Sequence, residues 1–100
     1  MSRAVSTRSK FKFRLFVAAG TLNSTQAVAN LSALCAAHLA GRHEIEVVDV
    51  FREPQRALSE HIRMTPTLLK LAPHPAIRIV GTLAQTQRVL ETLGLETGAA

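Results

Sequence analysis

An α/β fold in the order β-α-β-α-β-β-α, with one mixed sheet, is what the sequence predicts. Three patterns predict it. The first half holds a period-two stretch, a helical stretch and a β-branched run, which makes a β-α-β unit with parallel strands and a right-handed crossover. The second half holds two short apolar runs joined by Ala72-Pro73-His74-Pro75-Ala76, the pattern of a hairpin. A last stretch of helical spacing closes on a glycine. With 100 residues the chain forms one small domain, placed at residues 11–95 between a flexible basic tail at 1–10 and a short flexible tail at 96–100.

The elements follow in order. Phe11, Phe13, Leu15 and Val17 alternate with Lys12, Arg14 and Phe16, the strand period. Asn23 with Gln26 three residues later predicts a helix-capping pair. Val28, Leu31, Leu34, Cys35 and Leu39 keep helical spacing, and Gly41 is the expected stop. Ile45–Val50 reads as the second strand. Glu53-Pro54 opens a second helix, proline being tolerated in a first turn, with Ala57, Leu58, His61 and Ile62 on one face. Strands at Thr67–Leu71 and Ile77–Val80 come next. Val89, Leu90 and Leu93 mark a final helix over 84–93, ended by Gly94.

This order is the thioredoxin-like arrangement. In such folds the working groups sit where the first strand turns into the first helix. A redox enzyme needs a Cys-x-x-Cys there, with the helix N-terminus lowering the pKa of the first thiol. The stretch here is Gly20-Thr21-Leu22-Asn23 and carries no sulfur. The single cysteine, Cys35, lies three turns downstream on the apolar stripe, where it reads as a core residue. Thr21 and Ser24 read as turn and capping residues. The four histidines show no close ligand spacing, and no Gly-rich phosphate loop is present. The pattern predicts no metal, no cofactor and no enzyme.

Composition narrows the setting. One cysteine excludes an internal disulfide framework and fits the cytoplasm. The first ten residues are basic and polar, without the apolar core of a secretory signal. The net charge of +5 raises nucleic acid as a partner, but Arg3, Arg8 and Lys10 supply three of those charges from the tail. No Trp or Tyr is present to stack bases.

Four segments carry a resemblance to a known family. They are FRLFVAAGTLNS, EVVDVFREPQRA, MTPTLLKLAPHPAIRIVGTL and the RVL at Arg88 to Leu90, in order and at matching spacing. They resemble the circadian clock protein KaiB family and the related N-terminal domain of the clock kinase SasA. The resemblance implies a non-enzymatic module that docks on a KaiC-type, RecA-like ATPase, with other clock regulators as further partners. It implies partner-binding roles for Arg52, Arg78 and Arg88. It also implies a cis Thr65–Pro66 bond and an alternative tetrameric fold in which the second half is rearranged. Pro66, Pro73, Pro75, Gly81 and Thr82 would absorb that change. A monomer in the thioredoxin-like state is the expected resting form.

The chain departs from the family pattern at Leu22, where proline is usual, and at Gln26, where a basic residue is common. Thr82 replaces an aspartate, and Ala84-Gln85-Thr86-Gln87 replaces a charged stretch. A paralogous signalling system is therefore as open as a clock. Two other classes stay open: a thioredoxin-like oxidoreductase or glutathione-dependent enzyme using Ser24 or Cys35, and a basic nucleic-acid binder.

Overall fold

The structure is a computed structural model and describes residues 10–95. The expected tails fall outside the described residues, except Lys10, whose Nζ lies 3.2 Å from Glu44 Oε2. The elements are β1 (Phe11–Val17), α1 (Leu22–His38), β2 (His43–Asp49), α2 (Pro54–Ser59), β3 (Thr67–Ala72), β4 (Ile77–Val80) and α3 (Thr86–Leu93). The sheet order is β2-β1-β3-β4. β1 runs parallel to β2 and antiparallel to β3, and β3 is antiparallel to β4. This is the mixed sheet that the pattern predicts. Among the described residues no helix is long and apolar enough to cross a membrane.

The strand alternation sorts side chains between the two faces. Phe11, Phe13, Leu15 and Val17 join Leu68 and pack against Ala27, Leu31, Leu34, Cys35 and Leu39 of the α1 segment and Val89, Leu90 and Leu93 of α3. On the other face Phe16, Val48 and Leu69 pack under Ala57 of α2, with Val50 and Ile62 at the margin. β1 is thus central in the sheet and apolar on both sides. Burial of this order, at roughly 25 cal/mol per Å² of apolar surface, is what pins the strand register.

Three local readings need correction. The α1 cap is Thr21, whose Oγ1 accepts from Ser24 N at 3.4 Å; Asn23 and Gln26 lie inside the helix and are exposed. Thr21 wins because its hydroxyl is already held by the preceding turn. α1 ends at His38 with Leu39 as its C-cap, so Gly41 belongs to the turn into β2. α2 stops at Ser59, and only Ala57 of it is buried. Leu58 is 72% exposed, and His61 has φ 58, outside any helix. The spacing of Leu58, His61 and Ile62 imitates a helix that the chain leaves after six residues. Gly94, by contrast, caps α3 at φ 78, a left-handed conformation that glycine adopts without a Cβ penalty.

Candidate functional site

Three loops meet at one end of the sheet. Parallel pairing puts the C-termini of β1 and β2 side by side, and antiparallel pairing brings the start of β3 next to them, since Phe16 faces Thr67. Asp49 ties the first two loops together: its Oδ1 accepts from Phe51 N at 3.0 Å and Ala19 N at 3.4 Å. The third loop is braced by Thr67 Oγ1, which donates to Met64 O at 2.6 Å. The Thr65–Pro66 bond is cis, as are Ala72–Pro73 and His74–Pro75.

The β1–α1 corner is closed by hydroxyls. Ser24 is 3% exposed, and its Oγ accepts from Ala18 N at 2.9 Å. Thr21 Oγ1 donates to Ala18 O at 2.8 Å. Both side chains satisfy backbone groups of the turn. Cys35 is fully buried in the core, and desolvation pushes its thiol up to about 11, away from the reactive thiolate. Around this corner, large apolar side chains face solvent instead: Leu22 and Phe51 are each 69% exposed and Met64 is 63% exposed. Arg52, next to Phe51, is exposed on the same end.

Arg78 and Arg88 lie elsewhere. Both line a groove of about 540 Å³ between β4 and α3, floored by Ile79, Leu83 and Val89. Arg78 also donates to Glu60 O at 2.8 Å and His61 O at 3.4 Å, tying β4 to the end of α2. Arg88 forms no ion pair among the described residues. Arg52 follows β2, at the opposite edge of the sheet, so the three arginines do not form one cluster.

The proline and glycine positions bracket the hairpin. Pro66 is buried and precedes β3; its carbonyl accepts from Gly81 N at 2.9 Å, where the β3–β4 pairing ends. Pro73 and Pro75 form the hairpin loop. Gly81 has φ 121, and Thr82 O accepts from Asn30 Nδ2 of α1 at 2.8 Å.

Sequence reading missed three features. Leu83 holds φ 64 while buried among core residues, a conformation costing on the order of 1–3 kcal/mol in a non-glycine residue. No residue pattern announces that. Lys70 is 3% exposed, with Nζ 5.6 Å from the Phe11 ring centroid, and burial lowers its pKa. The charge inside TLLKLA was a visible signal. Third, Arg14, Arg56, Glu46, Glu53 and Glu60 form an ion-pair network over the α2 face. Hydrogen bonds from Arg56 and then Arg14 bring the Glu46 carboxyl down to about 2.

Known proteins place this geometry. The KaiB domain family matches residues 14–95. The chain is 39% identical to the circadian clock protein KaiB3 of Synechocystis sp. over 88 residues, 88% of this chain and 84% of that protein. It is 37% identical to the circadian clock oscillator protein KaiB of Synechococcus sp. RCC307, over 91% of this chain and 83% of that one. In fold it is similar to the N-terminal domain of Synechococcus elongatus SasA, with TM-score 0.69 and 22% identity over 92% of this chain and 90% of that domain. It is likewise similar to chloroplastic thioredoxin z, with TM-score 0.71 and 20% identity over 93% and 86% of the two chains. The match across residues 14–95, with 39% identity to KaiB3 over 88% of the chain, shows that the chain belongs to the KaiB family.

Proposed function

We propose that the chain is a non-enzymatic interaction module that docks on a KaiC-type, RecA-like ATPase, in circadian regulation or a paralogous signalling system. One observation carries this reading. The corner where a thioredoxin-like enzyme would hold its thiols has its hydroxyls committed to the backbone, while Leu22, Phe51 and Met64 stand 63–69% exposed around it. Exposed large apolar groups at one end of a small domain fit a protein interface, and Arg52 stands exposed beside Phe51. The Synechocystis and Synechococcus relatives are named as clock proteins, which supports a partner of the same system.

Docking includes a conformational element in this reading. Pro66, Pro73, Pro75, Gly81 and Thr82 are the joints at which the second half would rearrange into the alternative tetrameric packing. The positive φ of Leu83 supports this segment as a place where strain is held, and Gly81 gives it conformational freedom.

The test is a pull-down of a KaiC-type ATPase by the wild-type chain, Arg52→Glu and Phe51→Ser. Wild type should retain the ATPase, and both variants should lose most of it. No retention by wild type would sink the reading; undiminished retention by both variants would remove this end from the interface.

A further inference from the structure

Among the described residues β4 pairs only with β3, and no strand pairs with its outer edge. Gly81 N donates to Pro66 O, and the register places Leu68 opposite Ile79 and Lys70 opposite Ile77. Hydrogen-bonded and non-bonded pairs alternate along an antiparallel ladder. Ile77, Ile79 and Gly81 therefore use their backbone groups toward β3, and the N–H and C=O of Arg78 and Val80 point outward. Sheet edges of this kind accept an added strand.

The groove beside that edge has a chemical sign. It is apolar at Leu83 and Val89, and its charged lining residues are Arg78 and Arg88, with no carboxylate among them. The two arginines flank the edge from opposite sides. Arg78 alternates with Ile79, which packs against the α1–α3 core, so Arg78 lies on the α2 face; Arg88 belongs to α3. The Arg78 guanidinium donates to Glu60 O and His61 O and keeps N–H groups for an incoming carboxylate, and Glu60 and Lys70 line a pocket with it.

We infer that the β4 edge binds an extended acidic segment of a partner protein as a fifth strand of the sheet. Neighbouring residues of that strand face opposite sides, so reaching both arginines takes two acidic residues an odd number of positions apart. A second copy of this chain fits badly, because it would bring its own Arg78 against this basic edge. The inference rests on reading the chain as a partner-binding module, but not on the partner being an ATPase or on the Arg52 end.

The experiment titrates the ¹⁵N-labelled chain with the blocked peptide Ac-Thr-Val-Glu-Glu-Val-Thr-amide and follows amide shifts. Shifts should centre on Arg78, Val80 and Arg88. A version with lysine for glutamate, and one with the glutamates two positions apart, should each bind several-fold more weakly. Arg78→Glu/Arg88→Glu should weaken binding about tenfold, the scale of two exposed ion pairs. Val80→Pro removes an outward N–H and leaves the β3 ladder intact, so it should abolish binding. N-methylating alternate peptide amides tests the same bond without altering the protein, and one of the two registers should fail to bind. Equal binding by both methylated registers, or by the lysine peptide, would overturn strand addition of an acidic segment. So would shifts confined to Phe51 and Met64, a concentration-dependent dimer that blocks the edge, or a short DNA duplex that binds the same amides as tightly. Loss of peptide binding with intact ATPase pull-down would sink this inference alone.

Discussion

Arg14 stands directly opposite Glu46 across the parallel β1–β2 ladder, with Nε 2.7 Å from Glu46 Oε1. Arg56 NH1 reaches the other carboxylate oxygen at 2.8 Å. Glu46 is therefore held ionised by two guanidiniums on different elements. Its folded pKa, near 2, is depressed below the ordinary 4.5. A depressed carboxylate contributes stability above its unfolded pKa and loses it as pH falls through the folded value. Thermal melts of wild type should lose stability between about pH 4.5 and 2, and Glu46→Gln should flatten part of that loss. The carboxylate is half exposed, so the effect at neutral pH is small, at most about 1 kcal/mol. Parallel acid profiles of the two proteins would refute this account.

Ser24→Ala should be more costly than its size suggests. Ala18 N–H would remain buried without its acceptor, at about 1–3 kcal/mol, and the cap turn would loosen. Urea denaturation reads the loss directly. Ser24→Ala with wild-type stability and weakened partner binding would reveal a hydroxyl with a functional task.

Cys35 should be inert in the native state. A thiol reagent at pH 8 should label it only after unfolding, because burial both raises its pKa and blocks access. Cys35→Ala should cost on the order of 1 kcal/mol through a small cavity and leave binding intact. Rapid labelling of folded protein would reopen the enzyme reading.

Lys70→Met should stabilise the fold. The lysine is desolvated beside Phe11 with no carboxylate partner among the described residues, and methionine keeps its length without the charge. A gain of about 0.5–2 kcal/mol in urea melts is expected. A loss would mean that the cation over the ring outweighs its desolvation.

Gly81→Ala should destabilise by 1 kcal/mol or slightly more, roughly, through backbone conformation alone. A Cβ there meets nothing within 4 Å, so steric clash contributes no part of it. An unchanged melting point would show that the segment relaxes freely.

The sheet was legible because its strands differ in kind. The alternation of Phe11 to Val17, the Val47–Val48 pair and the proline-bounded Thr67 run each carry their own period, and all four strands form, although β2 runs His43–Asp49 rather than Ile45–Val50 and β3 extends one residue beyond Leu71. Ends of helices were less legible. Whether Thr21 or Asn23 caps α1 depends on Ala18 O, a group that the turn places and no local spacing reports. The apolar face read into Leu58 and His61 failed because α2 meets the sheet through Ala57 alone, while Ile62 reaches the same cluster from beyond the helix. For the candidate site, resemblance supplied the arginines, but only the strand order separates Arg52 from Arg78 and Arg88. Leu83 was illegible because long-range packing imposes its conformation.

The central place of β1 has a consequence for biosynthesis. It is the first strand to leave the ribosome, and β2 can pair with it once α1 has emerged. Its other edge waits for Thr67 to Ala72. Until then Phe16 faces solvent and a row of backbone groups lies unpaired, the features that invite wrong association in a nascent chain. Among the strand pairings this closing step spans the longest stretch of chain and so carries the largest loop entropy of the sheet. Slow emergence of Thr67 to Ala72 prolongs this exposed half-sheet.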